Sequence, residues 1–275
     1  MFNALMLLRY PGGKAKISEP IIKALIDIYK TNPSAEYREP FFGGGSIGFK
    51  LLSQNKIQKV WINDFDRGMS ALWTATIIDP DGLKEKINEF TPSINAFYEF
   101  KKELLNVPDI YDITDVGFKK LAIHQLSYSG LGTKSGGPLG GVDQKSEYKI
   151  DCRWSPKTLH NNIDKANKYL SQVELRGNKC WSRDFEELLI EDCPAFLYLD
   201  PPYFIKGNEM YQHGFATKDH ERLANSLRKS THSWVLSYDD CPAIRKLYSW
   251  AGIKEIELKY TINTVRNIVE LLITP

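Results

Sequence analysis

The chain has 275 residues, 42% hydrophobic and 25% charged, with a formal net charge of +2. That composition excludes a disordered segment, and the length is ample for a sizeable core without covalent staples. A charge this close to neutral does not by itself imply nucleic acid, so any such contact must come from a local patch.

In chain order, the opening residues MFNALMLLRYPGG hold too short an apolar stretch for a signal peptide and show no small-residue cleavage site. The pattern from Ile17 to Tyr29 predicts a helix, and the run from Tyr37 to Phe42 predicts a strand. A glycine turn follows, then a helix over Ser46 to Leu52 and a strand over Lys59 to Asp64. Residues 67–182 break the alternation, being rich in helical patterns and holding the glycine-dense loop Ser129 to Gly141. Alternation resumes with strands at Ala195 to Asp200, Ser233 to Tyr238 and Asn267 to Ile273. Between the first two lies a helix after Thr217 that sets Leu223 and Leu227 one turn apart. Alternating units of this kind predict an α/β fold with a doubly wound, mostly parallel sheet formed by residues 1–66 and 183–275, interrupted by a mainly helical insertion over 67–182. No apolar run reaches the ~18 residues of a membrane span, so a cytoplasmic protein is expected. The four cysteines, Cys152, Cys180, Cys193 and Cys241, are scattered without metal-ligand spacing, and no metal is expected.

Two motifs carry chemistry. Gly43, Gly45 and Gly48 satisfy GxGxxG between a strand and a helix, and Asp64 ends the next strand about twenty residues on. Glycines permit a sharp turn and close approach to a ligand, and a carboxylate at Asp64 can accept both hydroxyls of a ribose. An adenosine-containing cofactor fits, and so does a dinucleotide. Glu39, just before the turn, suits an ammonium group better than a pyrophosphate.

The second motif is Asp200-Pro201-Pro202-Tyr203 at the end of an apolar strand, the sheet edge where doubly wound folds bind ligands. Consecutive prolines fix the backbone and remove two N–H donors, leaving carbonyls free to accept. The Asp200 carboxylate and the Pro201 carbonyl could together hold an aromatic NH₂. Accepting both its protons localises a lone pair otherwise spread into the ring, and the developing positive charge is stabilised in a dry site. Tyr203 would stack on a base extruded from the duplex.

With Arg9 to Lys14, Asn63-Asp64, Arg153 to Leu159 and Asp184-Phe185, these segments span nearly the whole chain. In that order they resemble the adenine-specific DNA methyltransferases that include the Dam-type enzymes. The resemblance implies a Rossmann-like methyltransferase fold, S-adenosyl-L-methionine as methyl donor, base flipping and double-stranded DNA as partner. It further implies monomeric action and a role in restriction-modification, phage or housekeeping methylation, with any cognate restriction endonuclease acting separately. It places Tyr10, Lys14, Glu39, Phe41, Gly43, Gly45, Asp64, Asp184, Phe185 and Asp200 around the cofactor, Asp184 accepting from the adenine amine and Phe185 packing on its face. It makes the insertion a target-recognition domain, with Tyr128, Lys134, Lys145 and Arg153 against DNA and Lys149 and Lys157 as further phosphate candidates. Gly132-Thr133-Lys134 replaces the cysteine, arginine and aromatic residue expected there in the Dam subgroup, so a GATC target is not implied. In the helix after Thr217, His220 is expected to be a cap or surface residue rather than a catalyst.

Three alternatives stand beside this reading. A cytosine-N4 methyltransferase would usually carry serine before Pro-Pro. A protein glutamine methyltransferase would carry asparagine there, without the insertion. A catalytically silent DNA-binding relative would keep the fold alone.

Overall fold

A computed structural model of the chain describes residues 7–8, 14, 17–205, 212–260 and 266–275. Tyr10 lies outside them. Seven strands form one sheet: β1 (Glu36–Glu39), β2 (Lys59–Ile62), β3 (Glu174–Leu175), β4 (Ala195–Leu199), β5 (Ser233–Asp239), β6 (Gly252–Tyr260) and β7 (Arg266–Thr274). Their order is β3-β2-β1-β4-β5-β7-β6. β1 to β5 run parallel, while β7 inserts antiparallel beside β5 and pairs with the edge strand β6. The direction of winding reverses between β1 and β4, and the crevice beyond a reversal is where doubly wound sheets bind ligands. Glu39 and Asp200 stand at the carboxyl ends of those two strands.

The fully buried strand β4, Ala-Phe-Leu-Tyr-Leu, shows how both faces are covered. Phe196 and Tyr198 enter one core with Tyr37, Val60 and Ile62, packed by α1 (Ser18–Thr31), α2 (Ser46–Ser53) and α3 (Arg67–Ile78). Leu197 and Leu199 enter a second core with Trp234, Leu236 and Ile273. It is covered by α8 (Phe185–Ile190), α9 (Thr217–Lys229) and α10 (Pro242–Leu247). This period of two on a doubly covered sheet is why the strand reads as a continuous apolar run.

Residues 80–170 add α4 (Pro80–Glu89), α5 (Ile94–Leu105), α6 (Ile113–Leu126) and α7 (Pro156–Leu170). Side-chain caps set the starts of α3 to α6: Asp66 accepts from Gly68 and Met69 before α3, Asp79 from Gly82, Ser93 from Ala96 and Asp112 from Asp115, while α7 starts with Pro156 in its first turn. These helices have no core of their own. Leu83, Phe97, Phe118, Leu121 and Ile163 belong to the same cluster as Tyr37 and Ile62. The expected boundary at residue 182 is corrected, because Glu174 and Leu175 pair with Lys59 and Val60, and Trp181 bridges Asn63. The last residues of the expected insertion are thus sheet. A two-residue strand is too short for periodicity to register. The edge strand β6 also escaped the pattern, since Ile253 and Ile256 break alternation and the residues between them are charged.

Candidate active site

The glycine turn is built inward. Gly43 and Gly45 have φ of 47° and 67°, a region other residues rarely adopt. A side chain on Gly45 would strike the Phe42 and Phe49 rings at 2.7 Å, and one on Gly48 would meet the Glu39 carboxylate at 2.6 Å. Gly43 N–H donates to Asp64 Oδ2 at 2.8 Å, and Gly43 carbonyl accepts from Trp73 Nε1 at 2.8 Å. The glycines therefore serve close packing and a carboxylate, and the Gly43 N–H is spent on Asp64 rather than offered to a diphosphate. This removes the support for a dinucleotide.

Asp64 sits just past β2, buried, its Oδ1 accepting from Asp66 N–H at 3.0 Å. Burial first, then the neighbouring Asp66 charge, pushes its carboxyl up to about 7. Asp66 itself caps α3 and pairs with Lys120 at 2.6 Å. Asn63, fully buried, ties three segments together: its Nδ2 donates to the Pro40 and Arg183 carbonyls, both at 3.0 Å, and its Oδ1 accepts from Arg183 N–H at 2.9 Å. Among the described residues it is the link that brings Asp64, the glycine turn and Asp184 to one place.

Glu39 is buried and accepts from the Tyr37 hydroxyl at 2.6 Å. Burial drives its carboxyl well above the usual range against the pull of that hydroxyl. Such a group would regain its charge beside an ammonium. Phe41, Phe185 and Phe215 form an aromatic wall with ring centroids 5.6–5.7 Å apart. Phe215 carried no motif and was missed. Asp184, expected to face an adenine amine, has Oδ1 accepting from Glu186 N–H as the cap of α8 and Oδ2 paired with Arg222, whose guanidinium lies 4.5 Å over the Phe185 ring.

Asp200 leaves β4 with its side chain 21% exposed. Oδ1 is anchored by Lys14 Nζ at 2.7 Å and by the Ser237 hydroxyl at 3.4 Å, and no described residue donates to Oδ2. Burial raises the Asp200 carboxyl, opposed by Lys14 and Ser237. Burial would lower the Lys14 ammonium, but Asp200 and Glu270 outweigh it and raise it. Tyr203 is held on one side: its hydroxyl donates to Glu270 Oε1 at 2.6 Å and accepts from Lys14 Nζ at 2.7 Å, with Nζ 4.5 Å from its centroid. Asp239, at the end of β5, accepts from Phe204 and Ile205 N–H at 3.0 and 3.2 Å, bracing the turn after the prolines. Asp239 and Glu270 were both missed, since strand-end acids without a motif look like solvated ones. His220 is buried rather than superficial, bonded through Nδ1 to the Tyr238 hydroxyl at 2.6 Å and stacked 4.9 Å from Phe204. The cap role falls to Asp219, whose carboxylate accepts from Ala216 N–H at 3.0 Å.

The DNA candidates lie on the helical side. The glycine-dense loop closes on itself, with Tyr128 N–H bonding Gly137 carbonyl and Leu139 N–H bonding Leu126 carbonyl. Buried His124 reaches the Gly130 carbonyl at 2.9 Å; burial and Lys120 bring its imidazole down to about 3, so it stays neutral and Nδ1–H donates. Tyr128 is left 66% exposed, and Lys134 is exposed too. Lys145 is exposed and 3.5 Å from Asp143, while Arg153 is half-buried with Nη1 unpaired.

Acids at the ends of neighbouring parallel strands gather at a winding reversal beside an aromatic wall, the place where an α/β enzyme with a doubly wound sheet takes its ligand. Residues 10–262 match the D12 class N6 adenine-specific DNA methyltransferases, and the chain belongs to that family. It methylates adenine in DNA. Among its relatives, the type II methyltransferase M.MjaIII of Methanocaldococcus jannaschii is 24% identical over 93% of this chain and 92% of its own. The type II methyltransferase M1.LlaDCHI of Lactococcus lactis subsp. cremoris is 24% identical over 92% of this chain and 87% of its own.

Proposed function

We propose that the chain uses S-adenosyl-L-methionine to methylate the N6 amine of an adenine flipped out of double-stranded DNA, with Asp200 and the Pro201 carbonyl gripping that amine. The observation that carries this is Asp200 at the winding reversal, one oxygen anchored by Lys14 and the other accepting from no described residue. The donor set suits such a cofactor: Asp64 for the ribose, the Phe41, Phe185 and Phe215 wall for the adenine, and Glu39 for the ammonium. When bound, S-adenosylmethionine supplies a sulfonium methyl carbon to the N6 lone pair, sulfur keeping the electrons of the broken bond. Asp200 Oδ2 and the Pro201 carbonyl accept the two amine protons, and Pro202 keeps the turn rigid. Solvent water takes the surplus proton afterwards, so no further base is required. Tyr203, held on one side by Glu270 and Lys14, stacks on the flipped ring.

Residues 67 to about 172 form the recognition region in this reading, with Tyr128, Lys134, Lys145 and Arg153 toward DNA. Like the relatives called type II methyltransferases, the enzyme serves a restriction-modification system, acting as a monomer in the cytoplasm and apart from any cognate endonuclease. None of the helices among the described residues is long and apolar enough to cross a membrane.

Asp200→Asn tests the mechanism by transfer of labelled methyl groups to methylation-free DNA. Turnover should fall roughly 100- to 1000-fold, as when a comparable stabilising group is removed, while binding of S-adenosylhomocysteine and circular dichroism stay native. Turnover within threefold of the parent would refute it.

A further inference from the structure

Asp200 does not have Lys14 to itself. Glu270, on β7 and 6% exposed, lies 3.2 Å from the same ammonium and accepts from the Tyr203 hydroxyl. The antiparallel register, which sets Asp239 opposite Glu270, delivers it to the edge where Asp200 emerges. Two carboxylates therefore share one buried cation. Were Lys14 opposite Asp200 alone, that pair would be neutral and the catalytic carboxylate would be a weakened acceptor. Burial raises the Glu39 carboxyl well above its ordinary range, whereas at Asp200 and Glu270 the Lys14 ammonium opposes the same effect of burial.

We propose that Glu270 is a positioning residue that keeps this rim one negative charge in excess, matched to the single positive charge the reaction carries from sulfonium to N6. The inference rests on the reading of the cofactor given above. It acts through Lys14 and Tyr203: sharing the ammonium leaves Asp200 able to draw on the amine, and fixing the Tyr203 hydroxyl sets the ring. The chemical signature is a preference for S-adenosylmethionine over S-adenosylhomocysteine, the thioether that lacks the methyl group and its sulfonium charge.

Calorimetric titration of the full chain with both ligands tests this. In Glu270→Gln, S-adenosylmethionine should bind about tenfold or more weakly, the scale of a lost charged contact. S-adenosylhomocysteine should change less than about twofold by the same argument, since it carries no sulfonium to feel the loss. Lys14→Met, which leaves both acids unpaired, should sharpen the preference for the cation, and Lys14→Met/Glu270→Gln should return it toward the parent value. Equal weakening of both ligands, or an unchanged ratio in both single variants, overturns the proposal while leaving the cofactor assignment intact. A parent protein that binds neither ligand overturns both.

Discussion

With Asp64 holding the ribose as proposed, cofactor binding should depend on pH within the physiological range. It is pushed from an ordinary 3.8 to about 7, burial contributing most and the Asp66 charge adding to it. Its two oxygens take Gly43 and Asp66 N–H groups, which hold the side chain in place in either state. Only the ionised form can accept from two ribose hydroxyls at once. The ionised fraction rises from about one tenth at pH 6 to about nine tenths at pH 8, so nucleoside affinity should increase roughly tenfold across that interval. For stability the sign is opposite. The folded state holds this proton more tightly than the unfolded chain, so the contribution is complete below the unfolded value and lost as pH climbs through about 7, at most about 4 kcal/mol. The suitable probe is 5′-methylthioadenosine, which has the ribose but no group titrating between these pH values, followed by calorimetry at matched ionic strength. Asp64→Asn should bind it weakly and with a flat profile. A flat profile in the parent, or a slope that persists in the variant, would refute the assignment of the ribose to Asp64.

Much of the fold was legible because β1, β2, β4, β5 and β7 are interior strands whose apolar runs end in polar residues. β1, β2 and β4 end one to three residues early where the chain turns into the site, as at Pro40 to Phe42, whose bonds go to Asn63 and to the turn rather than to a ladder, whereas β5 and β7 run a residue longer than expected. Strand β6 was not legible, because an edge strand with Lys254, Glu255 and Glu257 in water lacks the alternation that betrays a half-buried one. The helical insertion was visible as a change of period. Its fusion to the sheet was not, since Leu83, Phe118 and Ile163 look the same whether they close a separate core or extend an existing one.

The site divided along a different line. Residues within motifs, Gly43, Asp64 and Asp200, lie where the motifs imply because each occupies the first turn after a strand, where local sequence dictates geometry. The residues that hold them come from elsewhere in the chain. Asn63 was seen only as a neighbour of Asp64, and Phe215, Asp239 and Glu270 not at all. Their partners are 34 and 35 residues away for Asp239 and 67 for Glu270, and no spacing rule spans such separations. His220 misled for a related reason: a histidine in the first turn of an otherwise polar helix looks superficial, and only packing against Phe204, Phe215 and Tyr238 shows it to be interior.

Two further consequences concern these long-range ties. Asn63→Ala would leave the Pro40 and Arg183 carbonyls and the Arg183 N–H unsatisfied in a buried place. That should cost about 3–6 kcal/mol, and a thermal midpoint within about 2 °C of the parent would contradict it. The other tie joins recognition to catalysis. Thr133, in the recognition loop, donates to Gln212 Oε1 at 2.8 Å, and Gln212 Nε2 donates to the Leu104 carbonyl at 2.9 Å. The next residue, His213, meets the Phe65 ring edge-on at 5.3 Å, one position from Asp64. On the proposed reading, a loop that seats on its target should pull on Gln212 and His213. Thr133→Val removes the donor at nearly constant volume, so the fold and cofactor affinity should hold. Methylation of the preferred site should fall several-fold, the size of one hydrogen bond between neutral groups, about 1 kcal/mol. Methylation at non-preferred sites, where the loop does not seat, should change little, so the ratio of the two rates narrows. Equal losses at both classes of site, measured by mapping methylated adenines on methylation-free DNA, would mean that the bond supports the loop without transmitting recognition.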